Sequence, residues 1–435
     1  MTASMEMQRP RQDDDAQDVF SHLGKVNVDF VESTAGAIPT TYADLVESRI
    51  SKVHRDYLME RHGTLELDPI PSIDPADPYN WPSWKKLANL VLVAVHACMG
   101  TFAAAGIIPA YKTISEEYGV TVQKASYLTS LQIAILGGAP LLWKPLSNRY
   151  GRRPIFLTSL ICSLVNGVQF ILYLFLGPET RYVGSNVNPD QPAWKREYLS
   201  LRRIDPTPFS WFEFVKPLTM VICPCVMIPA AAYAMVFLLS NVLATVEVPE
   251  LLQQKFDLNT EQLGLQFLGP IIGSLIGEQL GGTLSDLWMN TRAKKTQRKP
   301  EPEYRLWLSY IGFICSIVGL IVFLVCTQES EEGRWNVSPI IGIAIGAAGN
   351  QIVTTVLITY AVDCYPTDAA SVGVCITFVR QIWGFLGPFW FPPMFETVGV
   401  AASAGIGCAL IVSVSVIPIL FLHYLGRGWR PDVNV

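Results

Sequence analysis

Charge is what this sequence has least of. Lys, Arg, Asp and Glu make up 16% of its 435 residues, against about 25% in an ordinary soluble domain. Half of the chain is hydrophobic, which places most of it in lipid. Nor do basic residues collect on one long face. The net charge is -5, and Lys and Arg come in short clusters between apolar runs, so nucleic-acid binding has little support. The nine cysteines show no metal-ligand spacing and imply no disulfide framework. Cys98, Cys162, Cys315, Cys326 and Cys408 lie inside apolar runs, as small membrane-helix residues do. No phosphate-cradling Gly-Lys-Ser/Thr loop, no His-Glu-x-x-His pair and no nucleophile elbow occurs. ATP-driven pumping and enzymatic catalysis therefore have no motif to rest on, and no cofactor or metal is implied. A cleavable signal is missing too: Met1 to about Asn80 is polar, with acidic patches such as Asp13-Asp14-Asp15, and reads as a disordered cytosolic tail.

What is present is a series of apolar stretches near the length of about 20 residues that crosses roughly 30 Å of hydrocarbon. Nine qualify: Leu87–Ile108, Ala125–Trp143, Ile155–Leu176, Pro217–Val246, Leu263–Leu284, Leu306–Cys326, Pro339–Val362, Ser371–Phe395 and Ala401–Leu425. The fold class is all-α and integral to the membrane, a helix bundle of about nine spans. Gly and Pro are frequent in the spans, as in Gly269-Pro270, Gly273 and Gly277, which suits close helix packing in a bilayer. Trp143, Trp307, Trp335, Trp390 and Trp429 fall near span ends, where an aromatic belt sits.

Lys and Arg in short loops mark the cytoplasmic side. Lys85 and Lys86 place the approach to the first span inside, and Lys144, Arg149, Arg152 and Arg153 do the same for the connection between spans two and three. Arg292, Lys294, Lys295, Arg298 and Lys299 place the loop after span five inside, and Arg427 and Arg430 the C-terminus. Glu247, Glu250 and Asp257, and Glu329, Glu331 and Glu332, read as outer loops. The long connection after span three, with Arg181, Lys195, Arg196, Arg202, Arg203 and Lys216, also reads as inside, yet a single span separates it from another inside loop. One crossing cannot join two cytoplasmic loops. Either that stretch does not span, or one half is inverted against its charges, or an odd number of spans is missing there.

The second connection, Lys144-Pro-Leu-Ser-Asn148-Arg149-Tyr150-Gly151-Arg152-Arg153, resembles the signature Gly-x-Leu-Ala-Asp-Arg-x-Gly-Arg-Lys between helices two and three of the major facilitator superfamily. Lys144 replaces the first Gly of that pattern and Asn148 its Asp. A second copy, Gly282-Thr-Leu-Ser-Asp286, follows span five. Asp77-Pro78-Tyr79-Asn80-Trp81, Gly177-Pro178-Glu179-Thr180-Arg181-Tyr182 and Pro302-Glu303-Tyr304-Arg305-Leu306 are similar to segments of fungal multidrug and metabolite proton antiporters of the family. The resemblance implies twelve helices in two halves of six, with both termini and the central loop cytoplasmic. On that pattern Ile155–Val165 looks like the start of the third helix and Asn166–Leu176 like the end of the sixth. Roughly 80 residues, three spans of about 20 plus loops, would then be absent between Val165 and Asn166, through exon skipping, an error in the gene model or a natural deletion. The chain accordingly divides into a tail (1–84), an incomplete membrane half (85–176), a cytosolic central loop (177–214), a six-helix half (215–426) and a short tail (427–435).

The resemblance implies transport by rocking two halves about a central cavity: proton-coupled efflux of drugs or secondary metabolites through a multi-pass protein of the plasma membrane. Its partners would be a small-molecule substrate, protons and the lipid bilayer, with the oligomeric state left open. The alternative is a truncated, non-transporting product or a partner of full-length copies. Ionisable residues inside spans are the best pointers to a site, because they are costly in lipid. Glu278 and Arg380, with Gln381, are expected to line the cavity or pair with each other, Glu278 carrying the proton. Asn350, Gln351, Thr354 and Thr355, and Ser240 and Asn241, are candidates for substrate contact or inter-helix bonding. Trp383, Phe385 and Phe389 offer an aromatic wall, and His96 a protonatable side chain. Asn148, Arg149, Gly151, Arg152, Arg153, Gly282 and Asp286 form the expected cytoplasmic gating loops.

Overall fold

The computed structural model describes residues 51–65, 67, 70–74, 77–161, 171, 174–180, 210–296 and 301–430. These are helices and their connections, with no strand among the described residues. The chain forms two units, Met1–Trp81 and Pro82–Val435. The Val165–Asn166 junction, the acidic patch at Asp13 and the basic cluster Arg181–Arg203 lie outside the described residues.

In the first unit, part of the expected disordered tail is ordered. Lys52–His62 forms a helix, α1, capped by the Ser51 hydroxyl and ended by Gly63 at φ 71. The Asp77-Pro78-Tyr79-Asn80 motif holds it. Asp77 accepts hydrogen bonds from the Ser72 and Tyr79 N–H groups at 2.8 and 3.0 Å, and the Asn80 amide donates to the Ser72 and Asp74 carbonyls. Arg61 and His62 of α1 meet Asn80 at 2.8 and 3.1 Å. The motif is a local staple with its polar groups matched inside the unit.

In the second unit, α2 (Ser83–Ala105), α3 (Tyr111–Tyr118), α4 (Val122–Tyr150) and α5 (Arg152–Ile161) precede α6 (Phe212–Thr219). Then follow α7 (Pro224–Leu252), α8 (Thr260–Gln266), α9 (Leu268–Thr296), α10 (Trp307–Glu329), α11 (Ser338–Cys364), α12 (Ala369–Val398) and α13 (Val400–Trp429). Six helices among the described residues are long and apolar enough to cross a membrane: α4, α7, α10 with its leading turn, α11, α12 with its leading turn, and α13. At 23 residues, α2 reaches about 35 Å. Glycine, Glu278 and Gln279 dilute the apolar character of α9.

Starts and stops follow local chemistry. The Thr121 hydroxyl caps α4, and Asn259 with Gln262 makes a reciprocal capping box on α8. Asn336, which reads as a glycosylation acceptor pattern, accepts the Ser338 N–H at 2.9 Å where α11 begins. Positive-φ glycines close α3 (Gly119), α4 (Gly151) and α12 (Gly399).

The main core is built by α7 and α10–α13, around Tyr233, Leu239, Phe313, Phe323, Tyr360 and Phe391. Inside it α10 and α11 touch backbone to backbone. A Cβ on Gly319 would sit 2.3 Å from the Gly346 nitrogen, a contact that only glycine permits. Smaller clusters form around Leu92 of α2 and around Ile108 in the turn after it, Tyr111 of α3 and Ala125 of α4.

Two pairings fix helix directions. α9 and α11 run in one direction, with Gly269, Gly273, Gly277 and Gly281 facing Ile340, Ala344, Ala348 and Ile352 in turn. α4 and α12 run opposite ways: the Gln123 amide donates to the Pro388 carbonyl, Tyr127 stacks on Phe389, Gly137 abuts Gln381, and the Lys144 ammonium donates to the Ser371 hydroxyl. These contacts sort the bundle into a basic end, with Lys144, Arg149, Lys216, Arg305 and Arg430, and an acidic end, with Glu247, Glu250 and Glu396.

Two sequence expectations change. Ile155–Leu176 is not a single crossing, because its flanks meet. The Arg153 guanidinium donates to the Leu174 and Gly177 carbonyls at 2.9 and 2.8 Å, and the Arg152 and Arg153 N–H groups donate to the Glu179 carboxylate at 2.9 and 3.0 Å. A continuous helix of that length would hold its ends about 30 Å apart. The described flanks of the stretch thus stand together at the basic end. The physical cause is Glu179, an anion at the positive N-terminus of α5, together with buried Arg153, whose donors need acceptors. In addition, the helix expected to end at Val246 continues to Leu252. Val248, Leu251 and Leu252 extend its apolar pattern, and Pro249 is absorbed in a widened π turn. Glu247 and Glu250 therefore stand in a helix and not in an open loop.

Candidate functional site

The first candidate element is the basic end of the α4–α12 seam. Arg149, on the last turn of α4, is 2% exposed and pairs with Glu213 of α6. Lys144 reaches Ser371 at the start of α12, and Lys216 of α6 pairs with Asp368 just before α12. Three polar bridges thus tie α4, α6 and α12 together at one end. Asn148, where the related signature has Asp, lies beside Arg149 and makes contacts of its own. Gly151, at φ 93, turns the chain so that Arg152 and Arg153 start α5 over Glu179.

The pseudo-repeat on α9 forms a looser counterpart. Arg305 donates to the Ser285 hydroxyl at 2.7 Å and stands 3.4 Å from Asp363 and 3.7 Å from Asp286. Asp286 is 74% exposed, so its contribution is small. A Cβ at Gly282 would meet nothing within 4 Å. Glu303 pairs with Arg430 at 3.2 Å and Glu301 with Arg427 at 3.0 Å, fastening the end of α13 to the lead-in of α10.

The second element lies midway along the seam. The Arg380 guanidinium donates to the Tyr233 hydroxyl at 2.8 Å and lies 5.6 and 4.8 Å from the ring centres of Tyr233 and Phe237 on α7. Its charge is held by one hydrogen bond and two aromatic faces, while its Nε has no hydrogen-bond partner among the described residues. Gln381, next along α12, is buried against Gly137 of α4 with Oε1 likewise unpartnered. Ser240, in a π turn of α7, and Asn350 of α11 are buried with an unpartnered oxygen each. Asn241 is a half-buried neighbour in the same turn. Buried polar atoms left unmatched are uncommon, and each is a place for a ligand or water to bind.

Glu278 and Arg380 are not paired. The Glu278 carboxylate accepts from Gln351 and Thr355 on α11 at 3.4 Å each, on an exposed face of α9. Gln351 also accepts from the Asn350 amide at 3.3 Å, and Thr354 bonds back to the Asn350 carbonyl. Of the aromatic residues, Phe389 stacks on Tyr127 at 4.7 Å and meets Phe385 at 5.2 Å, so both pack at the seam. Trp383 packs on the main core. His96 meets the Ser159 hydroxyl at 3.3 Å and the Phe156 ring edge-on.

Sequence reasoning did not single out Glu213 or Asp363, and it placed Glu247 in a loop. Arg305 had a signal, its place in the Pro302–Leu306 motif. Glu213 had none, since its meaning depends on Arg149 across 64 positions.

Comparisons with known proteins bear on the whole bundle. The chain is 31% identical to the MFS-type transporter penM of Penicillium rubens over 177 residues, which is 41% of this chain and 34% of penM. It is 23% identical to the MFS-type transporter mpsC of Macrophomina phaseolina, over 81% of this chain and 87% of mpsC. It is 31% identical to YHK8 of Saccharomyces cerevisiae, named a probable drug/proton antiporter, over 36% of this chain and 30% of that protein. Thus the chain spans about a third of penM and of YHK8 in those matches, and most of mpsC. The mpsC alignment extends over 453 positions, more than this chain's 435 residues, so mpsC carries sequence with no counterpart here. No protein-family model matches the chain.

Proposed function

The chain is a member of the major facilitator superfamily, and from that premise we propose that it exports small organic molecules across the plasma membrane by proton-coupled alternating access. The observation that carries this reading is the α4–α12 seam: closed by polar bridges at its basic end, it holds Arg380 and Gln381 midway with unused hydrogen-bonding capacity. Its basic end faces the cytoplasm, as the Lys and Arg distribution supports. Breaking the bridges opens a cytoplasmic path to Arg380, and remaking them turns the same site outward. The name of the YHK8 relative supports proton exchange as the driving reaction, and the drug class as substrate.

We propose further that, relative to mpsC, a block is missing between α5 and Leu174. The return of this stretch to the basic end and the extra sequence of mpsC both support that reading.

The test is transport in proteoliposomes containing the full chain. An inward-acid pH gradient drives uptake of a fluorescent drug by inside-out protein, and collapsing the gradient abolishes it. A Lys144→Cys/Ser371→Cys pair, joined by a thiol-reactive cross-linker that contains a reducible bond, stops transport and a reductant restores it. Gradient-independent dye movement equal to that of empty liposomes would sink the proposal. Persistence of transport in the cross-linked protein would refute the role of the seam.

A further inference from the structure

The acidic end of α7 contains a carboxyl group that the latch and the mid-seam site do not use. Glu247 is 1% exposed, and its Oε1 has no hydrogen-bond partner among the described residues. It forms no ion pair among them either, and the charged group within its electrostatic reach is Glu250, three residues on. Glu396 of α12, the helix packed alongside, lies within reach of Glu250 in turn. Lys255 is the nearest cation along the chain, but its ammonium donates to the Gln328 carbonyl at 3.1 Å. Among the described residues no opposite charge is therefore provided for Glu247.

The backbone around it is unusual as well. Among the described residues three π turns occur, and two of them, Leu238–Val242 and Val248–Leu252, bracket the five residues that end in Glu247. Widened turns are rare and concentrate at functional sites. Pro249 explains the second, since it has no N–H for the helix ladder and its ring crowds the preceding turn. A helix interrupted on both sides of one residue can rotate that residue without unfolding. An ionised carboxylate left in such a place, beside Glu250 and without a cation among the described residues, is strongly disfavoured.

We propose that Glu247 is a proton-binding site of this transporter: it holds a proton while the acidic end is closed and releases it to water when α7 and α12 part there. This deepens the proton-coupled reading above and rests on it for its role in transport, though not for its chemistry. The proton comes from water at the acidic end, binds one carboxylate oxygen and returns to the same water. Once it has left, Glu250 is repelled by Glu247 on one side and by Glu396 on the other, which holds that end open. Glu278, exposed and already bonded by Gln351 and Thr355, is the weaker candidate.

The decisive measurement is infrared difference spectroscopy on the purified full chain in lipid, which reads a protonated carboxyl directly and needs no transport. The wild-type protein is expected to show a protonated-carboxyl band at neutral pH that moves on carbon-13 labelling of glutamate. The band should disappear in E247Q and remain in E278Q. Absence of a glutamate band from the wild type, or its persistence in E247Q, overturns the proposal. If E247Q does not fold, the labelled wild type and E278Q still decide: loss of the band in E278Q assigns it to Glu278 and overturns the proposal. A chain that shows the band but moves no substrate would refute the transport function while leaving the site standing.

Discussion

Gly273 offers the sharpest physical test of how the bundle is built. A Cβ placed there would lie 2.0 Å from the Ala344 carbonyl oxygen and 2.7 Å from its carbon, all backbone atoms of α11. Carbon–oxygen contacts rest at about 3.3–3.6 Å, so Gly273→Ala must push α9 away by about 1.3–1.6 Å. No flexible side chain can yield instead. Overpacking of this kind costs about 1–3 kcal/mol. Gly282 lies on the same helix, but a Cβ there meets nothing within 4 Å. Removing a helical glycine at such a site gains up to about 1 kcal/mol. The two variants should therefore differ by about 1–4 kcal/mol, with Gly273→Ala below wild type and Gly282→Ala at or above it, which is about fivefold or more in the folding equilibrium. Reversible unfolding in mixed detergent micelles measures this, and the fluorescence of Trp288, stacked on Tyr304 at 5.5 Å, reports on α9. A Gly273→Ala protein as stable as wild type, or a Gly282→Ala protein that loses as much, would refute the close approach of α9 and α11.

Other outcomes follow from the same geometry. Arg149→Ala and Glu213→Ala, combined in a double-mutant cycle of thermal stability, should show a coupling of about 1–3 kcal/mol, as expected for a bonded pair with one buried member; additive losses would remove the bridge. Arg153→Ala deletes the bonds to the Leu174 and Gly177 carbonyls, so spin labels at positions 152 and 178 should separate, and an unchanged distance distribution would contradict the return to the basic end. Tyr233→Phe removes one hydrogen bond to a charged group, worth about 1.5–3 kcal/mol, but keeps the ring under Arg380. Arg380→Lys loses the planar stack on both rings, so gradient-driven transport should fall in Arg380→Lys and survive better in Tyr233→Phe. Equal rates in these two variants would show that the rings do nothing for the site.

Much of this architecture is legible from the chain itself, because a bilayer forces long apolar helices and leaves few other solutions. Runs such as Leu306–Cys326 and Ala401–Leu425 announce their helices directly. The charge pattern marks the stretch around Ile155–Leu176 as the place where the loop parities conflict, but it does not show that Arg153 meets the Gly177 carbonyl. What the chain hides is pairing at a distance. Nothing local marks Glu213 as the partner of Arg149, or Asp363 as that of Arg305. Glu247 was obscured for a different reason: a charge beside a proline reads as a loop, and only the packing of α7 against α12 reveals it as buried. Arg380 stands out in the chain as a charge inside an apolar span, yet its partner is the Tyr233 hydroxyl and not the carboxylate of Glu278.

The contact of Arg153 and Glu179 also has a meaning for how such chains change over time. Since Arg152 and Glu179 stand side by side, the sequence between them is a cassette plugged into one socket. Whatever is spliced into or out of it leaves the orientation of every later helix unchanged, provided that the cassette both enters and leaves from that side. A protein with this socket can gain or lose helices in even-numbered crossings without turning its remaining half inside out.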